Sequence, residues 1–286
     1  MEIDRIPSDT HEQVLRCHDA PSGLIAYIAV HDTTLGPAVG GCRMWRYDDE
    51  NAALADVLRL SEGMTAKAAL ADLPLGGGKA VILGDPHEAK TEAKLLAFGR
   101  FLDTFGGAYI SAEDVGMTPA DMDVIARETR HVVGRTDAPF GSGDPSPTTA
   151  DLILRCMRVA ARQRLGADLA GLRVSVQGLG HVGLPLAESL ARAGARLTAC
   201  DMHSPTLRKA ADLGARIVEP DGIVEAEADI FAPCALGGVL DDRTVPRLAA
   251  RIVCGSANNQ LATPAAAARL HERGVLYCPD YVANSG

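Results

Sequence analysis

A glycine-rich turn between an apolar run and a helix constrains the fold of this chain more than any other feature. Residues 172–177 are predicted to form a buried strand, and Gly178-Leu-Gly-His-Val-Gly183 follows directly. A helix to about residue 193 and a second strand over 196–200 complete the unit, which ends in Asp201. Because this order and separation are typical of a dinucleotide-binding βαβ unit, the sequence predicts a doubly wound parallel sheet.

The turn also indicates how a dinucleotide would be held. Gly178 and Gly180 would admit a pyrophosphate to the helix N-terminus, and Gly183 would let helix and strand pack closely. The carboxylate of Asp201 would accept hydrogen bonds from ribose hydroxyls and repel a 2′-phosphate, which favours NAD over NADP. The predicted cofactor-binding residues here are Gly178, Leu179, Gly180, His181, Val182, Gly183 and Asp201.

Alternation of strands and helices continues through the second half. Strands are predicted over 228–232, 251–254 and 275–278, and helices around 206–213, 242–249 and 264–272. Two strand ends, residues 233–238 and 255–260, are polar or glycine-rich and would lie on the cofactor side of the sheet.

Two lysines stand out in the first half. Lys67 and Lys79 lie among small and apolar residues, with glycines at 76–78 and a predicted buried strand at 80–83. The glycines would let the backbone approach a ligand, and burial or a second ammonium would favour a neutral lysine that acts as a base. A glycine turn followed by an ordinary lysine with an exposed head group is an equally good interpretation of this stretch alone.

An acid is predicted at a junction between a strand and a helix. The strand over 109–115 carries Glu113 and Asp114 near its end, and Thr118-Pro119 is a strong helix start. Residues that form sites often lie at such junctions in α/β sheets. The alternative is that the two acids only favour the helix N-terminus electrostatically.

Composition excludes several classes of function. A formal net charge of −9 and a pI near 5.4 argue against a nucleic-acid-binding protein, which needs a basic face. Seven cysteines without Cys-x-x-Cys spacing favour reduced thiols in a cytoplasmic protein over disulfides or a metal site. Neither a signal pattern nor a membrane-spanning run is predicted. A nicotinamide site together with two lysines and an acid indicates a dehydrogenase for a carboxylate substrate.

Several segments carry a resemblance to a known family. They are Leu35-Gly-Pro-Ala-Val-Gly-Gly-Cys-Arg-Met-Trp45, Gly63-Met-Thr-Ala-Lys67, Gly76-Gly-Gly-Lys-Ala-Val81, Ala112-Glu-Asp-Val115, Gly141-Ser-Gly-Asp-Pro-Ser-Pro147, Ala232-Pro-Cys-Ala-Leu-Gly237, Gly255-Ser-Ala-Asn-Asn-Gln260 and Pro279-Asp-Tyr-Val282. From about Tyr27 onward the chain resembles the glutamate/leucine/phenylalanine/valine dehydrogenase family, and most closely its leucine dehydrogenase branch. The resemblance implies NAD-dependent, reversible oxidative deamination of an L-amino acid to its 2-oxo acid and ammonia.

The same resemblance implies roles for individual residues. Lys67 would bind the substrate carboxylate with the backbone of Gly40 and Gly41. A neutral Lys79 would activate the water that attacks the imine, and Asp114 would carry protons to and from the substrate nitrogen. The remaining implied contacts are those of Thr149 and Ala235 with the cofactor, of Asn258 and Asn259 between nicotinamide and substrate, and of Val39, Ala112 and Val282 with an aliphatic, branched side chain.

Domain organisation follows from composition and from the resemblance. Residues 134–147 are rich in Gly, Pro, Ser and Asp, which indicates the crossing between two domains. We expect an N-terminal α/β substrate and dimerisation domain over 1–133, followed by a doubly wound Rossmann NAD-binding domain over 134–286. The protein would then be a homo-oligomer, a dimer or larger, with small-molecule partners only. Two alternatives stay open: a dehydrogenase for aromatic amino acids, and a catalytically silent paralogue that binds NAD or an amino acid.

Relatives continue beyond the segment that matches residues 281–286 with further helices, which this chain lacks. Either the chain is a fragment or other subunits cover the gap. We expect the 286-residue form to bind NAD and to turn over poorly.

Overall fold

The chain divides into two units, Met1–Gly143 and Asp144–Gly286. The computed structural model describes residues 1–136 and 146–285. Each unit contains a six-stranded sheet and its own hydrophobic core. The α/β class predicted from the sequence is confirmed.

The first unit is built on a mixed sheet. Its strands are β1 (Glu2–Arg5), β2 (Gln13–Asp19), β3 (Leu24–Asp32), β4 (Ala38–Trp45), β5 (Gly76–Leu83) and β6 (Tyr109–Glu113), and its helices are α1 (Glu50–Leu70), α2 (Glu92–Asp103) and α3 (Pro119–Ile125). The strand order is β1-β2-β3-β5-β4-β6. Since β4 pairs in parallel with both β5 and β6, the segment after β6 lies beside the second half of β4.

Alternation along these strands gives the sheet two different faces. Cys42, Met44 and Ile82 face the main core, to which α2 and α3 contribute. On the other face Val81 packs in a smaller cluster with Val57 of α1. Lys79 lies on the α1 face, because side chains two residues apart in a strand point the same way.

The three consecutive glycines lie inside β5 and do not form a turn before it. None of Gly76, Gly77 and Gly78 has a positive φ. A Cβ at Gly77 would overlap Thr65 of α1, and one at Gly78 would lie 2.5 Å from the ring of Tyr109. The glycines therefore allow a helix and an aromatic ring to pack closely on the strand, and the alternative of a glycine turn before the strand was wrong.

The second unit is built on a fully parallel sheet. Its strands are β7 (Arg173–Gln177), β8 (Arg196–Cys200), β9 (Arg216–Ile217), β10 (Ile230–Pro233), β11 (Ile252–Val253) and β12 (Leu276–Tyr277), and its helices are α4 (Ser146–Leu165), α5 (Gly183–Arg192), α6 (Ser204–Asp212), α7 (Pro264–Glu272) and α8 (Asp280–Ala283). The strand order is β12-β11-β10-β7-β8-β9. This doubly wound order reverses direction between β7 and β10, where ligands bind in such sheets.

One predicted helix of this unit is not formed. Residues 242–249 contain only a short 3-10 turn, Val245–Arg247, and Leu248 is extended. Pro246 contributes to this, because it has no N–H to donate to the carbonyl of Asp242 and its ring would clash with that carbonyl in an α-helix. Within the described ranges, no helix has the length and apolar character needed to cross a membrane.

Candidate active site

A buried ion pair lies on the α1 face of the first unit. The ammonium of Lys79 in β5 is 2.6 Å from Oδ2 of Asp114, which follows β6. The Lys79 side chain is 6% exposed and that of Asp114 is 17% exposed. The parallel register of β4, β5 and β6 brings together two residues that are 35 positions apart in the sequence.

A second cation binds the same carboxylate oxygen. The Nε of Arg43 in β4 donates to Oδ2 of Asp114 at 3.2 Å. Nη1 of Arg43 donates to Oδ2 of Asp56 in α1 at 2.9 Å, and the Tyr47 hydroxyl donates to that oxygen at 2.7 Å. Lys79, Asp114, Arg43, Asp56 and Tyr47 therefore form one connected network, which we call the β4–β6 network.

The charge states of the network follow from its contacts. Burial alone would raise the pKa of Asp114, but the cations of Lys79 and Arg43 outweigh it and hold that pKa well below its usual range. Burial would lower the pKa of Arg43, yet Asp114 and Asp56 outweigh burial and raise it. Burial and then Asp56 raise the pKa of Tyr47. Asp114 is thus a carboxylate and Tyr47 a neutral phenol at neutral pH.

Glycine is required beside the ion pair. A Cβ on Gly41 would lie 2.7 Å from Cβ of Asp114 and 3.3 Å from Nζ of Lys79. Val39 precedes Gly41 on the same face, and Ala112 of β6 pairs with Gly41 in the register. The backbone of Gly41 therefore borders the Lys79 ammonium, and two small apolar side chains share this face of the sheet, where a substrate could approach it.

Lys67 and Gly40 are two further predicted residues of the first unit. Lys67 is half-buried in the last turn of α1, two residues after Thr65, whose side chain lies against Gly77 of β5. The carbonyl of Gly40 accepts a hydrogen bond from the Tyr109 hydroxyl at 2.8 Å. Lys67 therefore lies on the helix that packs over the strand carrying Lys79.

Arg43, Asp56 and Tyr47 were not predicted from the sequence. Arg43 lies two residues after Gly41 in one strand, so alternation alone would have placed it on the face of Gly41. Asp56 and Tyr47 carry no such signal, since their contacts depend on how α1 crosses the sheet.

In the second unit the three glycines of the turn lie in different surroundings. Gly178 has a φ of +91°, and a Cβ there would lie 2.8 Å from the backbone nitrogen of Ala235. A Cβ on Gly183 would overlap the carbonyl of Gly178, whereas one on Gly180 would meet nothing within 4 Å. Gly178 and Gly183 are thus required by the fold. At Gly180 the missing side chain leaves open space beside the exposed backbone.

Asp201 lies directly against this turn. One of its carboxylate oxygens accepts a hydrogen bond from the backbone nitrogen of Leu179, and the other accepts one from that of His203 at 2.7 Å. Leu179 is buried and His181 is exposed, while Val182 is the N-cap of α5 and makes no side-chain cap hydrogen bond. The acid is therefore fixed beside the N-terminus of α5.

The turn fits the pyrophosphate and ribose of a dinucleotide. The open space at Gly180, the N-terminus of α5 and the carboxylate of Asp201 lie on one segment. The side-chain oxygen of Gln177, at the end of β7, is buried without a hydrogen-bond partner among the described residues. Residues 1–136 and 146–285 contain no cluster of three His, Cys, Asp or Glu side chains that could hold a metal ion.

The other predicted residues of the second unit lie in its loops and short helices. Asn259 has a φ of +52°, and its backbone nitrogen donates to Asp280 at 2.6 Å. The side-chain oxygen of Asn258 accepts a hydrogen bond from Asn284 at 2.9 Å. A positive φ at a non-glycine residue is a strained conformation that is often found at binding sites.

Three predicted residues remain. Ala235 is exposed beside Gly178, Thr149 is half-buried in the first turn of α4, and Val282 is half-buried in α8. Of the segments that carried the resemblance, positions 141–145 lie outside the described residues.

Comparison with known proteins gives the family. Residues 11–131 match the Glu/Leu/Phe/Val dehydrogenase dimerisation domain, and residues 205–286 match the Glutamate/Leucine/Phenylalanine/Valine dehydrogenase domain. Leucine dehydrogenase from Geobacillus stearothermophilus is 51% identical over 278 residues, which are 96% of this chain and 76% of that protein.

Two solved structures are similar in fold. The L-tryptophan dehydrogenase from Nostoc punctiforme is 44% identical with a TM-score of 0.73, and the match covers 96% of this chain and 79% of that one. The hetero-hexameric glutamate dehydrogenase from Thermus thermophilus is 28% identical with a TM-score of 0.77, and the match covers 96% of this chain and 74% of that one. The protein therefore belongs to the glutamate/leucine/phenylalanine/valine dehydrogenase family, whose members are nucleotide-dependent amino-acid dehydrogenases.

Proposed function

We propose that the protein is an NAD-dependent dehydrogenase that reversibly converts an aliphatic, branched-chain L-amino acid to its 2-oxo acid and ammonia. The observation that carries the proposal is the buried contact between Lys79 and Asp114, 2.6 Å long, beside Gly41. A lysine and a carboxylate that share one hydrogen bond can pass a proton between them without rearrangement. Amine chemistry at a substrate carbon requires such transfers.

Each residue of the first unit has a role in this reaction. Lys67 binds the substrate carboxylate together with the backbone of Gly40 and Gly41. Asp114 accepts and returns protons at the substrate nitrogen. Lys79, once it has passed its proton to Asp114, accepts a proton from the water that attacks the imine carbon. Bound NAD would supply the one chemistry that no side chain can, acceptance of the hydride from the substrate carbon.

In the second unit the proposed cofactor contacts lie at the carboxyl end of the sheet. Gly178, Gly180 and the N-terminus of α5 would hold the pyrophosphate, and Asp201 the ribose hydroxyls. Contacts with the nicotinamide half are proposed for Thr149, Ala235, Asn258 and Asn259. A carboxylate at position 201 would repel the 2′-phosphate of NADP, so we propose NAD as the cofactor.

An aliphatic substrate is favoured by the residues that border Lys79. Val39 and Ala112 are small and apolar and share the face of Gly41, and we propose that Val282 joins them in binding the side chain. Identity of 51% to a leucine dehydrogenase supports this choice. An aromatic substrate is the second candidate, because a tryptophan dehydrogenase is 44% identical and Val39 leaves room for a ring.

We also propose a homo-oligomer in the cytoplasm. The match to a dimerisation domain over residues 11–131 supports association of this unit with a second copy. All seven cysteines are free thiols, as expected in a reducing compartment.

Initial rates of NAD reduction with a panel of L-amino acids test the proposal. Leucine, valine and isoleucine should give the highest kcat/KM, above phenylalanine, tryptophan and glutamate. Highest activity with an aromatic amino acid would select the second candidate. Binding of NAD without turnover of any amino acid would indicate the silent paralogue.

A further inference from the structure

Oδ2 of Asp114 contacts two positively charged side chains, which come from different strands. Lys79 reaches it from β5 at 2.6 Å, and Arg43 reaches it from β4 at 3.2 Å. Only the first of these contacts has a role in the proposed reaction. The described hydrogen bonds of Arg43 go to Asp114 and to Asp56, so Arg43 acts on the proposed reaction through Asp114.

The guanidinium of Arg43 is held at two points. Nε contacts Asp114, and Nη1 contacts Asp56, which also accepts the Tyr47 hydroxyl. The Arg43 side chain is 12% exposed, and rotating it away would leave two partly buried carboxylates without this cation. Because the guanidinium is planar and its donors are fixed in a fork, the two contacts set the orientation of the Asp114 carboxylate.

We propose that Arg43 and Asp56 are positioning residues for the reaction: Arg43 holds the Asp114 carboxylate against Lys79, and Asp56 divides the charge of Arg43 between two acids. The proposal rests on the proposed function, in which Asp114 must accept a proton and return it. A guanidinium bound to Asp114 alone would oppose that protonation strongly. Asp56 weakens this opposition, since its own charge offsets that of Arg43.

The other titratable groups around Asp114 do not replace this pair. Cys42 of β4 and Tyr109 of β6 lie on the opposite face of the sheet, and burial raises the pKa of both, so that they stay uncharged. Besides Asp56, the charged residues of α1 are Glu50, Arg59, Glu62 and Lys67. Glu113 precedes Asp114 at the end of β6, and Lys90 and Asp121 form an ion pair with each other. Arg43 and Asp56 are thus the charged pair that can be changed without altering a proposed substrate contact.

Opposite shifts in the pH profile test the proposal. In Arg43→Met, Asp114 loses one of its cations, so the acid limb of kcat/KM for leucine should move up by about one to three pH units, with a lower kcat. In Asp56→Asn, the whole charge of Arg43 acts on Asp114, and the limb should move to lower pH. A loss of packing alone would not move the limb in opposite directions.

The double variant shows whether Asp56 acts through Arg43. If it does, Asp56→Asn should change kcat less than twofold when it is added to Arg43→Met. In the wild-type background the same substitution should shift the pH profile. Arg43→Lys should restore the position of the acid limb, since the charge returns, but only part of kcat, because the fork is lost.

Arg16 offers a matched control in the same unit. It binds Glu50 through two donors, and a tyrosine hydroxyl, that of Tyr27, donates to the same acid. Arg16→Met removes an equivalent arrangement at the opposite end of α1 from Lys67. It should lower the melting temperature and leave the pH profile of kcat/KM unchanged.

A measurement that does not require activity separates this proposal from the proposed function. The Asp114 carboxyl can be titrated by carbon NMR, and its midpoint should be higher in Arg43→Met than in wild type. Suppose that wild type is active, but that Arg43→Met shifts neither the pH profile nor the NMR midpoint. That result would overturn the positioning role alone. No activity of wild type on any amino acid, with the NMR shift present, would overturn the proposed function and leave the electrostatic role of Arg43 standing.

Discussion

At the scale of single residues, we propose that Asp201 determines the choice of cofactor. Its carboxylate is fixed by backbone nitrogens of Leu179 and His203, so it cannot turn away from the glycine turn without losing both hydrogen bonds. A ribose with free hydroxyls can donate to this acid. A 2′-phosphate brings a second negative charge to the same place, and like charges at short range are costly.

Asp201→Ser should therefore narrow the preference for NAD. The ratio of kcat/KM with NAD to that with NADP should fall by about tenfold or more, which corresponds to about 1.4 kcal/mol of lost discrimination. Asp212→Ser removes an exposed acid from the end of α6 in the same unit and serves as the control. An unchanged ratio in Asp201→Ser, measured by initial rates with both cofactors, would remove this acid from cofactor selection.

Single residues differ in how far the sequence reveals them. Asp201 and Gly178 lie at fixed separations within one βαβ unit, so spacing alone identifies them. The contact between Lys79 and Asp114 joins residues from two separate strands, and the sequence indicated each without showing that they touch. Arg43 was missed, because an arginine inside a strand is ordinary until its partners on a helix and a neighbouring strand are known.

At the scale of elements, the packing of α1 on β5 holds the lysines in place. Gly77 of β5 lies where a Cβ would overlap Thr65 and come 2.6 Å from the carbonyl of Ser61. Gly63 lies in α1 itself, and a Cβ added there would meet no atom within 4 Å. A methyl side chain therefore has no room at Gly77 but has room at Gly63.

Gly77→Ala and Gly63→Ala should change stability in opposite directions. The first forces α1 away from the sheet and should lower the free energy of unfolding by about 1–3 kcal/mol. The second replaces glycine inside a helix and should raise it by about 0.5–1 kcal/mol. Urea unfolding followed by tryptophan fluorescence measures both. Equal destabilisation by the two variants would show that close contact at Gly77 is not what requires glycine there.

Glu50, in the first turn of α1, has a lower pKa in the folded protein than in the unfolded chain. Hydrogen bonds from Arg16 and then Tyr27 lower the pKa of Glu50 to about 2. A lowered folded-state pKa means that the unfolded chain binds the proton first, so this stabilisation is complete above about pH 4.5 and is lost as the pH falls toward 2. The side chain is 40% exposed, which screens the interaction.

Glu50→Gln should consequently destabilise the protein at pH 7 by about 1 kcal/mol or less. The difference from wild type should shrink at pH 3, since protonation of the unfolded chain already removes most of the benefit there. Urea unfolding at the two pH values provides the measurement. A difference as large at pH 3 as at pH 7 would mean that the charge of Glu50 contributes nothing.

Element boundaries were predictable where local signals are strong. The helix start at Thr118 and Pro119 is present with a capping box to Asp121, and α7 begins at Pro264 as predicted. Prediction failed where tertiary packing decides. Glycines that resemble a turn form part of β5, and an apolar stretch interrupted by Pro246 does not become a helix.

At the scale of the whole molecule, the residues proposed for the chemistry are divided between two units. The first holds the β4–β6 network, and the second holds the glycine turn with Asp201. The strand order of the second unit follows from one βαβ motif and the alternation after it. The mixed order of the first, in which β5 inserts between β3 and β4, has no such signal in the sequence, because its pairings join distant segments.

Because cofactor binding and amine chemistry are assigned to different units, we expect that a substitution in the first unit can lower turnover without changing NAD affinity. The most direct test is to measure NAD affinity by calorimetry and kcat with leucine for Lys79→Ala. Lys90→Ala is the control, since Lys90 forms a similar ion pair with Asp121, 2.7 Å long, in the same unit. We expect Lys79→Ala to lower kcat by about 10²-fold or more with NAD affinity unchanged, and Lys90→Ala to keep both. Near-normal kcat in Lys79→Ala would contradict the assignment of amine chemistry to the Lys79–Asp114 pair.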